Sequence, residues 1–485
     1  MRGRLDWKYL LGLELDDPGF DPSVLVEFRQ RLLVGNEELR IFDLLLAQLR
    51  EGGDVKACGR QRSDSTHVLA KIRSLNRVEV VGETFRATLN VLAVVAPEWL
   101  MQQMQEGWVE RDEHGVENDR LPDGKQAREA YALVIGKDGG SLLTAISAAS
   151  SPAWLRDIPA VQTLRRVWVQ QFFWEEGELR WRETTTLPAA GDCINSPYDP
   201  EAQYAKKREQ GWVGYKVHLT ETCDDDLPHL ITHVETTSAP LSDLAALPRI
   251  HETLQRHELL PERHLVDTGY MDAEAFVHSQ HDDGVDLFGP TRDDDHWQAR
   301  EGTGFAAEQF VVDWQGECAT CPAGKTRSSW TPAQDRRGNP VITIKFAMQD
   351  GGPCPHRQAC TQTQATSPRR TLTIRPQARS QALQASRQRQ AMEGFKEQYN
   401  QRAGIEGTLS QGIRACGLRQ ARYRGQANVQ LQHALTAAAL NLARLYAWLI
   451  GQSRATTRQP AFVRLVKQRA SMRLVLRVRQ QYPFW

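Results

Sequence analysis

The 485-residue chain has no long apolar run. The nearest to one, Leu431–Ile450, is interrupted by His433, Asn441 and Arg444, which argues against a membrane span. Met1–Asp17 carries charges throughout and lacks the apolar centre of a secretory signal. Cysteine is sparse, eight residues in all, too few in a chain this long for a disulfide framework. These absences together point to a cytoplasmic protein with no membrane partner. The opening Arg2-Gly-Arg4-Leu-Asp-Trp is abrupt, as in a chain whose first residues are missing.

Net charge is also absent, because 60 Lys and Arg balance 60 Asp and Glu. That balance hides a division. Residues 361–485 hold 21 basic and three acidic residues, a net +18, which leaves −18 on residues 1–360. An arginine-rich end on an acidic body is expected where one region faces nucleic acid; a solvated basic helix or tail is the lesser alternative.

What is present is periodicity. Residues 22–50 read as two amphipathic helices split at Val34-Gly35-Asn36, and a short strand runs through Asp64. Residues 65–180 read as mostly helical, with Leu69, Ile72, Leu75 and Val78 at helical spacing. Gly211–Thr222 and His229–Thr237 alternate at period two and form a hairpin. A helix over 241–260, a strand over His264–Tyr270, a helix over Ala273–His281 and a strand over Val285–Gly289 follow. This order predicts a mixed α/β sheet flanked by helices, with an antiparallel part. Residues 300–385, rich in Gly, Pro and Cys, break the pattern, and helices resume near Gln381. The expected division is a helical domain over 1–55, the first part of an α/β domain over 56–300 with a helical insertion at about 68–180, a cysteine-containing lobe over 301–385, further α/β-domain helices over 386–450, and a basic tail over 451–485.

Three acids stand out. Asp64 and Asp267 sit at strand ends, in Asp64-Ser-Thr-His67-Val and Val266-Asp267-Thr-Gly-Tyr270. Glu406 closes Tyr399-x2-Arg402-x3-Glu406, which as one helix puts Tyr399, Arg402 and Glu406 on a single side. Converging carboxylates repel unless cations sit among them, and hard oxygen ligands suit Mg²⁺ or Mn²⁺. Two such ions can drive phosphoryl transfer. Taken singly, each aspartate reads more readily as an N-cap or turn residue, and Arg402 with Glu406 as a surface pair of little worth. Asp192 and Asp199 compete with Asp64 for the first acid position, but lie in a Pro-rich loop.

These motifs, with Ser196-Pro-Tyr-Asp199-Pro-Glu-Ala and Gly214-Tyr-Lys216-Val-His, resemble the DDE-type transposases of bacterial insertion sequences across roughly residues 20–450. The resemblance implies an RNase H-like catalytic domain with Asp64, Asp267 and Glu406 as metal-binding catalytic acids, and Tyr399 and Arg402 in the signature around the third. It implies Mg²⁺ or Mn²⁺, double-stranded DNA as partner (terminal inverted repeats and target), a homo-oligomer on DNA ends, and a grip on those ends by the N-terminal helices. A domesticated DNA-binding descendant and another RNase H-like nuclease are the alternatives. Related signatures carry a basic residue seven positions past the glutamate; here that position is Ile413, with Arg414 or Arg419 to stand in.

Two further groups carry chemistry. Cys318-x2-Cys321 and Cys354-x5-Cys360 can supply four thiolates to a structural Zn²⁺, with His356 as a rival ligand, in a lobe expected to have little core of its own. Lys206, Lys207 and Arg208 form a basic hairpin edge able to hold a DNA backbone or simply to block aggregation. His67 reads chiefly as a structural histidine.

Overall fold

The computed structural model describes residues 5–452, except for 113–114, 117–120, 293–295, 328, 336–337, 348, 350–352 and 364–368. From residue 453 onward, the expected basic tail lies outside the described residues.

The N-terminal part is helical: α1 (Leu5–Leu10), α2 (Pro22–Val34) and α3 (Arg40–Glu51). Asp21 caps α2 by accepting from Ser23 N–H, with Pro22 at the first helical position. The apolar stripe of α3, Phe42, Leu46 and Leu49, enters the main core rather than forming a core of its own.

Strand β1 (Arg60–Leu69) runs well past Asp64. Leu69 is therefore in a strand, and the helical spacing of Leu69, Ile72 and Leu75 is incidental. The next helix begins only where Asn76 and Glu79 make a reciprocal capping box. The insertion comprises α4 (Arg77–Val95), α5 (Pro97–Gln103), α6 (Trp108–Asp112), α7 (Lys125–Ser147) and α8 (Pro159–Gln171), around Phe85, Trp108, Leu142 and Trp168. It ends in a hairpin not expected from the sequence, β2 (Phe172–Glu175) and β3 (Glu178–Trp181). Its turn residues Glu176 and Gly177 both take positive φ, the backbone that suits a two-residue hairpin.

The main sheet has six strands. After β4 (Gln203–Lys207) come β5 (Gln210–Thr222) and β6 (Ile231–Ser238), then α9 (Asp243–Arg256), β7 (Arg263–Leu265), α10 (Ala273–His281) and β8 (Asp286–Phe288). β5 pairs antiparallel with β4, β6 and β1, while β1, β7 and β8 are parallel neighbours. The expected mixed sheet with an antiparallel part is present and is compatible with an RNase H-like fold. At Gly214 an added Cβ would lie 2.1 Å from the Val68 carbonyl oxygen, so the β1/β5 approach requires glycine there.

The cysteine region begins after a short helix, α11 (Trp297–Arg300), and contains two three-stranded sheets. One is β9 (Val311–Asp313), β10 (Cys318–Thr320) and β11 (Thr326–Arg327); the other is β12 (Trp330–Gln334), β13 (Pro340–Lys345) and β14 (Thr371–Ile374), with α12 (Arg357–Cys360) before β14. Phe310, Ala319, Ile344, Phe346 and Leu372 are buried together, so the lobe does have an apolar core. Then follow α13 (Gln377–Ala391), α14 (Phe395–Asn400), α15 (Gly404–Cys416) and α16 (Gln426–Leu449). No helix among the described residues is long and apolar enough to cross a membrane.

Candidate active site

Each of the two aspartates is held by its own turn. Asp64 accepts from Ser65 N–H through Oδ1 (2.8 Å), and Asp267, capping a 3-10 turn over Thr268–Tyr270, accepts from Gly269 N–H through Oδ1 (2.9 Å). These are the local roles that the cap-and-turn explanation assigns. The second oxygen of each points elsewhere, to one guanidinium: Arg402 Nη2 lies 3.0 Å from Asp64 Oδ2 and 3.9 Å from Asp267 Oδ2, while Arg402 Nη1 lies 3.2 Å from Glu406 Oε1. Three carboxylates from segments 203 and 139 positions apart in sequence thus converge on one cation.

The signature is not one continuous helix. Tyr399 lies in the last turn of α14, Arg402 in a 3-10 turn over Gln401–Ala403, and Glu406 in the first turn of α15. The chain tightens where Arg62 Nη1 donates to the Gln401 carbonyl (2.5 Å). The i,i+4 relation of Arg402 to Glu406 survives this, because Ala403 and Gly404 between them keep right-handed helical backbone angles (φ −57° and −61°).

Burial differs across the trio. Asp64 is 14 % exposed, Asp267 31 % and Glu406 63 %. Burial pushes the Asp64 carboxyl up to about 6, against the opposing pull of Arg402 and the Ser65 N–H. Burial also raises the Tyr399 hydroxyl, with Arg402 opposing and the acids adding to the rise. Arg402 is itself desolvated, yet Asp64, Tyr399 and Asp267 hold its charge more firmly than usual.

Beneath this cluster lies a buried ionic brace that sequence reading missed. Glu221, fully buried on β5, receives Arg62 Nε (2.7 Å) and Nη2 (2.6 Å), Arg444 Nη1 (2.7 Å) and the Thr408 hydroxyl. Arg62 is on β1, Thr408 on α15 and Arg444 on α16, so one carboxylate ties the strand of the first acid to the helix of the third. Gly404 completes the fit, since a Cβ there would lie 2.0 Å from Arg62 Nη1. A signal existed: Arg62 and Glu221 each share a strand face with a site or core residue, Asp64 and Leu219, two positions away.

The rivals separate from the site. Asp199 is buried and accepts from the Tyr215 hydroxyl (2.6 Å) and Gly425 N–H (3.2 Å), tying β5 to the start of α16. Asp192 lies in a loop turn. Lys216 pairs with Asp243 (3.0 Å), and Asp243 accepts from the Ser65 hydroxyl (2.9 Å). Arg414 is exposed on α15 and bonds its own helix at Ser410; Arg419 instead donates to the Thr66 hydroxyl (2.8 Å), two residues from Asp64. His67 stacks at a tilt on Trp212.

Residues 320–446 match the family model described as the transposase DDE domain. That match supports a DDE-type transposase. The matched span contains Tyr399, Arg402 and Glu406, whereas Asp64 and Asp267 precede it. No curated protein and no solved structure matches the chain.

The transposase reading raises the question of metal. The trio is an all-oxygen donor set whose charge one guanidinium only partly counters, the chemistry that suits Mg²⁺ or Mn²⁺. Among the described residues, no three His, Cys, Asp or Glu side chains are gathered tightly enough to hold an ion as they stand; the acids surround Arg402 instead. The cysteines are all free of disulfides. Burial raises the Cys360 thiol, and the nearby Cys321 and Cys354 add to the rise while Arg370 opposes it.

Proposed function

We propose that this protein is a DNA transposase with an RNase H-like catalytic domain, cutting strands at the ends of an insertion sequence and joining them to target DNA. The observation that carries the reading is the convergence of Asp64, Asp267 and Glu406 on Arg402. The family match over the third acid supports it independently.

Asp64, Asp267 and Glu406 are the residues that would hold divalent cations. When bound, such ions supply Lewis acidity for in-line displacement at phosphorus. The local turns at Ser65 and Gly269 hold the two aspartates with one oxygen each turned to the site. Arg402 keeps the acids together and presents a fork suited to a phosphate oxygen. Hydrolysis at the element end and attack by the freed 3′-hydroxyl are both in-line displacements, so one site serves both. An element has two ends, which calls for a homo-oligomer on DNA, and the N-terminal helices contribute to the grip.

The test is strand cleavage of a duplex carrying the element's own terminal repeat. Cleavage is expected in Mg²⁺ or Mn²⁺ and not in chelator, with joined products when target DNA is added. Purified protein that leaves the ends intact in either metal overturns the reading.

The cysteine lobe belongs to the same proposal. Cys321, Cys354 and Cys360, with Cys318, are expected to hold about one zinc per chain. Because the lobe has its own apolar core, Cys321→Ser should release the metal and loosen the lobe to protease without unfolding the sheet. Zinc-free protein prepared without chelator contradicts the assignment.

A further inference from the structure

Beside the carboxylates, on the Ser65 side of β1, opens a cleft of about 830 Å³ between β1, the β4–β5 hairpin and the start of α9. Its charge is lopsided: Lys206, Lys207, Arg208, Lys216 and Arg419 line it against one carboxylate, Asp243. Lys216 already neutralises Asp243 at 3.0 Å and Lys206 faces Glu209 at 3.7 Å, so the surplus rests on Lys207, Arg208 and Arg419. The hairpin residues are exposed. Ser65 and Thr66, the two residues that follow Asp64 on β1, line the cleft, which places it next to the acid site.

Arg419 is held in place. Leu69 N–H donates to the Arg419 carbonyl (2.8 Å) and Ala421 N–H to the Leu69 carbonyl (2.9 Å), stitching this segment to the strand that bears Asp64. Part of the remaining wall is aromatic: Tyr204 and His67 line it half-buried, with the buried Trp212 tilted against His67. Fixed cations beside ring faces are the equipment of single-strand nucleic acid sites, where phosphates meet the charge and bases meet the rings. The volume lies within the usual range for ligand pockets, the scale of a few nucleotides rather than of a duplex.

We propose that this cleft takes a short unpaired DNA strand emerging from the carboxylate site, with its phosphates on Lys207 and Arg419 and its bases against the aromatic wall. This rests on the transposase reading and names where its DNA goes.

The experiment compares, in metal-free buffer, binding of the full chain to a blunt duplex and to the same duplex with a three-nucleotide unpaired end. The wild type should prefer the unpaired end by roughly tenfold, the order of one stacked base. Lys207→Glu and Arg419→Gln should each erase most of that preference, lowering affinity for the unpaired end more than for the blunt duplex, and flatten the salt dependence of the unpaired end by about 0.7 per lost contact. Lys207 is on an exposed hairpin, so its variant reads out binding even if Arg419→Gln perturbs folding. Equal wild-type binding of both duplexes, an unchanged preference in Lys207→Glu, or a stronger preference for an RNA end overturns the cleft assignment alone. Failure of the wild type to bind either duplex overturns the transposase reading with it.

Discussion

Asp64→Asn, Asp267→Asn and Glu406→Gln should each abolish strand cleavage, falling by roughly a thousandfold or more, since several kcal/mol of metal-mediated stabilisation is at stake. Each amide keeps the shape of the acid and removes its charge. The structure adds a second, opposite expectation for Asp64. Burial holds its folded pKa at about 6, above the ordinary 3.8. The folded protein therefore binds that proton more tightly than the unfolded chain does, and the ionised carboxylate costs stability above pH 6. The cost is relieved as pH falls from about 6 towards 4. A shift of this size corresponds to at most about 3 kcal/mol. Metal-free Asp64→Asn should accordingly be inactive yet more stable than wild type near neutral pH, by about 1–3 kcal/mol, with a flatter stability profile between pH 4 and 6. Denaturant unfolding across that range measures it. A variant that is active, or one less stable than wild type, contradicts the role given to Asp64.

Glu221→Ala should be the most damaging single change outside the trio. It strands two guanidiniums, Arg62 and Arg444, at 7 % and 18 % side-chain exposure. Removing one partner of a buried ion pair typically costs about 3–5 kcal/mol, because the remaining charge stays desolvated. Glu221→Gln, which keeps the shape and loses the charge, should cost less while still loosening the tie between β1, α15 and α16. Since Arg62 also holds the Gln401 carbonyl next to Arg402, both variants should lose cleavage along with stability. Urea unfolding of the variants gives the answer; a loss below about 1 kcal/mol would mean that the brace is worth no more than a surface pair.

The elements of the main sheet were legible because their signals are local. Alternation over Gly211–Thr222 marks β5, and the short apolar run His264-Leu-Val before Asp267 marks β7. Where a local signal misled, a longer-range contact had won. Leu69 has helical spacing to Ile72 but pairs with Gly214 in the sheet. The Tyr399–Glu406 run reads as one helix but tightens at Gln401, where an arginine from β1 takes its carbonyl. The cysteine lobe looked coreless because its apolar residues are spread thinly over Phe310–Ile374 and meet only when two sheets fold.

The sequence by itself singled out the candidate side chains, three acids, the Arg402 signature and a basic segment after it, each in a short motif. The tertiary structure decided what those side chains face. That Asp64 and Asp267 each turn one oxygen to Arg402, that Glu221 braces the strand to the acid helix, and that Arg419 rather than Arg414 stands beside β1 all depend on sheet order. Sheet order arises from pairing between strands far apart in the chain, and no local pattern encodes which strand a given edge will meet.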